Sequence, residues 1–204
     1  MYETLLAFLG ATAILALSPG PDNIYVLAQS ISNGPKAGLA TTAGLISGCI
    51  VHTTLIAFGM SAVIASSPKI FWAIKIFGAA YLLYLAYKVW KSSASVALED
   101  SAPKKSGWHL FKQGVIMNVL NPKVTIFFLA FFPAFLWDPE GNTVLQFYVL
   151  GGLFMLLSFL IFGSFALLAG AISKYLKRHS KAGLVLKWLQ IVVFVGIAIF
   201  ILIP

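Results

Sequence analysis

Six apolar stretches, each near the roughly 20 residues that a helix needs to cross a bilayer, fill most of this chain: 5–30, 40–66, 70–90, 110–137, 143–173 and 184–203. Hydrocarbon offers backbone amides and carbonyls no partners, so a spanning segment must satisfy them internally as a helix. The connections are short and punctuated, as at Asn33-Gly34-Pro35-Lys36, Ser66-Ser67-Pro68-Lys69 and Asp138-Pro139-Glu140-Gly141-Asn142. Composition agrees: 60% hydrophobic residues, 10% charged residues and a mean hydropathy of +0.93 lie far from a soluble domain. The expectation is an all-α polytopic membrane protein of six transmembrane helices, one domain over 1–204. Glu3 stands where a signal peptide has a basic n-region, and the apolar run continues past any small-residue cleavage site, so the first stretch is expected to stay as a span.

Two stretches are interrupted at costly places. In the first, Ser18-Pro19-Gly20-Pro21-Asp22-Asn23 sets two prolines, a glycine and the only carboxylate between Glu3 and Glu99 inside an apolar run. In the fourth, Asn118-Val119-Leu120-Asn121-Pro122-Lys123 interrupts a run that resumes at Val124. Leu17-Ser18-Pro19 and Leu120-Asn121-Pro122 thus hold corresponding places. Three spans per half is an odd number, so the halves enter the membrane from opposite sides: an inverted repeat of about 1–90 and 108–204, joined by a polar loop over 91–107. Unwound backbone at membrane depth is tolerated only where protein buries it or a polar cavity meets it. The two breaks are therefore expected to face a shared centre, as in secondary transporters.

Charge gives the orientation. Lys88, Lys91, Lys104, Lys105 and Lys112 flank the third-to-fourth connection, and Lys174, Lys177, Arg178, Lys181 and Lys187 the fifth-to-sixth. Six spans put both groups on one face with Lys36, whereas the other face has Lys69 and Lys75 beside Asp138 and Glu140. The positive-inside rule then predicts basic loops in the cytoplasm and both termini outside. A net charge of +8 needs no nucleic acid to explain it. The single cysteine, Cys49, lies within an apolar run and reads as packing. No nucleotide, zinc or nucleophile motif is present.

Asp22 is the central candidate: a carboxylate at membrane depth can cycle between protonated and charged forms and so couple proton movement to transport. The alternative is a helix cap; Asn23, immediately after it, binds substrate or completes the cap. Lys123 must meet a carboxylate or snorkel to an interface, and Asp22 is its natural partner. Asn118 and Asn121 can bind the ammonium or carboxylate of an amino acid, or neighbouring backbone. Gly44 and Gly48 form a small-xxx-small packing face, and His52, one turn on, is either a proton relay or a structural ring. Lys75 is expected to snorkel outward, the phenylalanines of 127–135 to face lipid or neighbouring helices with Pro133 adding a bend, and Trp72, Trp90, Trp108, Trp137 and Trp188 to form an aromatic belt.

Together, Ser18–Asn23, the Gly44/Gly48/His52 run, the stretch 74–85 (IKIFGAAYLLYL), Asn118–Lys123 and the FFPAF of 131–135 resemble the LysE/RhtB family of amino-acid exporters over nearly the whole chain. The resemblance implies a bacterial inner-membrane carrier that exports amino acids such as homoserine, threonine, leucine or basic ones. It implies proton exchange as the driving force and no cofactor. Carried over by motif, Pro19, Gly20, Pro21, Asp22 and Asn23 face Asn121, Pro122 and Lys123 as the central site, with His52 and Asn118 beside it. The expected partners are a small amino acid, the lipid bilayer and, as one open assembly, a second copy in a homodimer. A metal-cation exporter would want more acids and cysteines than this chain offers. A membrane-embedded enzyme would want a nucleophile with its base.

Overall fold

The computed structural model describes residues 1–18, 20–92, 102–179 and 181–203, with Ala65 and Lys177 described by backbone alone. Among the described residues the structure is helical: α1 (Tyr2–Leu17), α2 (Pro21–Asn33), α3 (Pro35–Leu55), α4 (Ser61–Ser66), α5 (Pro68–Lys91), α6 (Gly107–Val119), α7 (Pro122–Phe131), α8 (Thr143–Leu167), α9 (Ala169–Arg178) and α10 (Ala182–Leu202). A π-helical turn, Ile56–Met60, carries α3 into α4 as one 30-residue span, Pro35–Ile64. The helices α5, α8 and α10 are each long and apolar enough to cross a membrane. The pairs α1–α2 and α6–α7 pass the same test when joined, bent by 57° and 54°. Six spans result, with the first and fourth broken as expected.

Proline and glycine place the corners. Four helices, α2, α3, α5 and α7, begin with proline in the first turn, where its missing N–H would have had no partner anyway. Gly34 ends α2 at φ 86°, in the left-handed region that a side chain disfavours. This lets α3 start one residue later.

The fifth span is shorter than the expected 143–173. Leu168 turns away at φ −98°, ψ 11°, and the chain restarts as the separate α9. The apolar run hides this corner, because α9 is amphipathic: Ala169 and Ser173 are buried while Lys174 and Arg178 are exposed. Most of the 91–107 connection lies outside the described residues; its far end is tied to α2, where Ser32 Oγ accepts from the Ala102 amide at 2.9 Å.

Of the broken spans, α1 rests on α8 and α6 on α3, while α2 packs on both α3 and α8 and α7 packs mainly on α5. The corresponding helices α3 with α8, and α5 with α10, pack together. Glycines permit the closest approach: a Cβ on Gly44 would overlap the Phe111 carbonyl, and one on Gly114 would sit 2.5 Å from the Thr41 carbonyl oxygen.

One detail departs from expectation. Lys75 does not snorkel freely but is buried, donating to the Ile203 carbonyl at 3.3 Å with its ammonium 4.5 Å from the Trp72 ring centroid. It thus satisfies an orphan carbonyl at the end of α10. Of the two surroundings expected for the phenylalanines of 127–135, lipid or neighbouring helices, the structure gives the second: Phe127, Phe128, Phe131, Phe132 and Phe135 are buried in the core, where Phe8 and Phe154 join them. Along α7 they stack one turn apart, Phe127 on Phe131 at 4.3 Å and Phe128 on Phe132 at 4.1 Å. Pro133 tightens the chain into a short 3₁₀ turn, Phe132–Phe135. Trp72, Trp90, Trp108 and Trp188 are exposed, as a belt requires.

Candidate functional site

The first break is held by Asn23. Proline cannot donate a backbone hydrogen bond and disfavours helical geometry in the residue before it, so α1 ends at Leu17 and Ser18 turns extended (φ −67°, ψ 126°). Pro19 lies outside the described residues. Gly20 is also extended, and α2 starts at Pro21. The carbonyls of Ala16 and Ser18 both accept from Asn23 Nδ2, at 2.9 and 3.1 Å. Asn23 is buried, so its side chain stitches the interruption closed.

Asp22 does not cap that helix. The N-cap is Gly20, with no side-chain cap, and Asp22 falls in the first turn. Its carboxylate points across the molecule, where Oδ2 accepts from Asn121 Nδ2 at 3.3 Å, linking residues 99 apart in sequence.

Asn121 therefore bonds in two directions. It is the N-cap of α7, its Oδ1 accepting the Lys123 amide at 3.1 Å, while its Nδ2 reaches Asp22. Lys123 is near enough to Asp22 for their charges to attract. Its ammonium also lies 4.9 Å from the Phe194 ring centroid, and 3.3 Å from where a Cβ on Gly20 would stand. The two interruptions meet side by side, and a glycine makes the space at their junction.

Asn118 sits at the end of α6. Its backbone carbonyl accepts from the Asn121 amide at 3.1 Å and from His52 Nε2–H at 3.2 Å. His52 thus braces the second break from behind, against Phe128 with ring centroids 5.4 Å apart. A Cβ on Gly48 would lie 2.7 Å from Asn118 Oδ1, so this glycine leaves the room that the asparagine side chain occupies.

A cavity of about 60 Å³, room for a few water molecules, lies between the breaks. Ser18, Gly20, Asp22, Asn23, Asn118 and Lys123 line it together with Ser158 and Cys49, and Phe127, Phe154 and Phe162 form part of its apolar wall. Pro21, Asn121, Pro122 and His52 are not in the lining; the prolines set helix starts, and Asn121 bears on the cavity through its bond to Asp22. Ser18 Oγ, Asn118 Oδ1 and Ser158 Oγ are buried around this cavity with no hydrogen-bond partner among the described residues. The Cys49 thiol, a weak donor, stands beside Asn118. Unpaired buried oxygens are costly, and here they surround a space that also holds a carboxylate and an ammonium.

Ser158 was not among the residues the sequence singled out. Several hydroxyls elsewhere in these helices bond their own backbone, as Ser30 does to Val26 at 2.7 Å and Ser47 to Ala43 at 2.8 Å, whereas those of Thr12, Thr42 and Thr53 are buried without a partner among the described residues but do not line this cavity. Ser158 makes no such bond either, and with Phe154 and Phe162 one turn to either side it presents α8 to the cavity. The one signal available is a serine in the middle of the apolar run 150–163.

Comparison with known proteins agrees with this architecture. Residues 13–204 match the family described as LysE type translocator. The chain is 31% identical to a homoserine/homoserine lactone efflux protein of Salmonella typhimurium, over 86% of this chain and 85% of that one. It is 32% identical to YrhP, an uncharacterized membrane protein of Bacillus subtilis, over 97% of each. No solved structure matches the chain significantly.

Proposed function

The chain belongs to the LysE-type translocator family, and from that premise we propose that it is a secondary exporter of small amino acids, homoserine first among them, working by proton antiport and alternating access. One observation carries the reading: the two breaks converge on a small cavity bearing a carboxylate, an ammonium and unpaired oxygens. A zwitterion asks for groups of both signs a few ångströms apart. In this reading the substrate ammonium lies at Asp22 with Ser18 Oγ, Asn118 Oδ1 and Ser158 Oγ, and its carboxylate at Lys123. The relatives' efflux of homoserine and its lactone supports the substrate class.

Protonation supplies the coupling. Charged Asp22 holds both Asn121 and the substrate ammonium; taking up a proton weakens both holds and favours release. The count of lysines and arginines supports placing the Lys174–Lys181 end in the cytoplasm and both termini in the periplasm of a bacterial inner membrane. Counterflow of labelled homoserine and threonine in proteoliposomes tests the reading. The wild type exchanges unchanged substrate and responds to a pH gradient, and Asp22→Asn, correctly inserted, does neither. A mutant that still follows the gradient refutes the coupling.

A further inference from the structure

A second cavity, far larger at about 410 Å³, lies between α2 and α10 with α9 across one end. Its walls are apolar, formed by residues such as Ile24, Leu27, Phe165, Ile172 and Val185. Its deep end reaches Leu17 and Asn23, so it stops against the side chain that stitches the first break. Its mouth carries Tyr175, His179 and Lys181. The Tyr175 and His179 rings stack with centroids 4.2 Å apart, and His179 Nδ1–H donates to the Tyr175 carbonyl at 3.0 Å, so this rim is organised before any ligand arrives.

Among the described residues the charge around the mouth is of one sign. Lys174, Arg178 and Lys181 are exposed at this end. Among the described residues the carboxylates Glu3, Asp138 and Glu140 fall at the far ends of α1 and α8, and Asp22 faces the central cavity rather than this rim. The amphipathic α9 has the pattern of a helix lying in the membrane interface, apolar side inward and basic side toward head groups. A deep apolar slot does not suit a small zwitterion, whereas a slot with a basic rim at head-group level matches an acyl chain attached to an anion.

We propose that this slot is a binding site for an anionic phospholipid, with its acyl chain between α2 and α10 and its phosphate at Lys181 and His179. The chain terminus would press on Asn23, one residue from Asp22, so occupancy would brace the first break. The proposal rests on the fold and on the rim, and stands or falls independently of the cargo.

The test is native mass spectrometry of the full-length protein released from mixed vesicles of phosphatidylglycerol and phosphatidylcholine with identical acyl chains. The wild type should retain phosphatidylglycerol preferentially. Lys181→Glu should cut that preference by at least about fivefold, the effect of one basic residue at a membrane surface. Lys69→Glu, at the opposite end of the molecule, should leave it unchanged. Leu186→Trp, which fills the slot from α10, should lower retention of both lipids. Equal retention of the two lipids by the wild type, or undiminished preference in Lys181→Glu, overturns the proposal.

Discussion

Gly48 and Gly152 are two membrane-helix glycines with opposite surroundings, and replacing each by alanine tests whether the position of Asn118 matters. A methyl group on Gly48 would stand 2.7 Å from Asn118 Oδ1 and 2.8 Å from Asn118 Cβ. Carbon atoms in contact settle near 3.5–4.0 Å, so the asparagine must retreat by about 1 Å. Parting α3 from α6 to absorb this would open the close contacts that Gly44 makes with the Phe111 backbone and Gly114 with that of Thr41. Overpacking of this kind costs about 1–3 kcal/mol, and an ~1 Å misplacement of a positioning group is worth roughly a hundredfold in rate. Gly152 has nothing within 4 Å of its Cβ position. The assays are thermal unfolding in detergent and initial counterflow rate in proteoliposomes. Gly48→Ala should melt earlier and slow counterflow by about one to two orders of magnitude, and Gly152→Ala should do neither. A wild-type rate in Gly48→Ala would refute the placement of Asn118 in the transport site.

Further predictions separate folding from transport. Ser158→Ala removes a hydroxyl that has no partner among the described residues, so thermal stability should hold while the half-saturating substrate concentration rises about tenfold, the effect of a hydrogen bond to a charged group; an unchanged value excludes Ser158 from the site. Asn121→Asp keeps an oxygen for the α7 cap but sets a second carboxylate against Asp22; unfolding should change little and transport should be lost, and retained transport argues against the Asp22–Asn121 link. Lys75→Met keeps the side-chain stem and removes the bond to Ile203; it should lower stability by about 1 kcal/mol with counterflow intact, and impaired counterflow would give Lys75 a role in transport.

The spans and both breaks are legible in the sequence because proline and glycine act locally: Pro21 and Pro122 start helices wherever they stand in the fold. What Asp22 touches is not legible, since a carboxylate in the first turn looks the same whether it caps its own helix or reaches 99 residues away. Lys123 was readable as a neighbour of Asp22, but the direct bond to that carboxylate comes from Asn121. Ser158 escapes because its meaning lies in a bond it fails to make, which only the surrounding helices reveal. The corner at Leu168 escapes for the opposite reason: the apolar run 150–172 continues across it, and only the basic face of α9 marks the change. Lys75 reads as an interfacial cation until α10 is seen to end beside it.

Cys49 is the only thiol in the chain, and it sits buried in the wall of the central cavity. The natural protein therefore carries its own reporter, with no background to remove. A small alkylating reagent can reach that sulfur only while water does, so its reaction rate clocks how often the chamber opens, and a cargo molecule lodged inside would stop the clock.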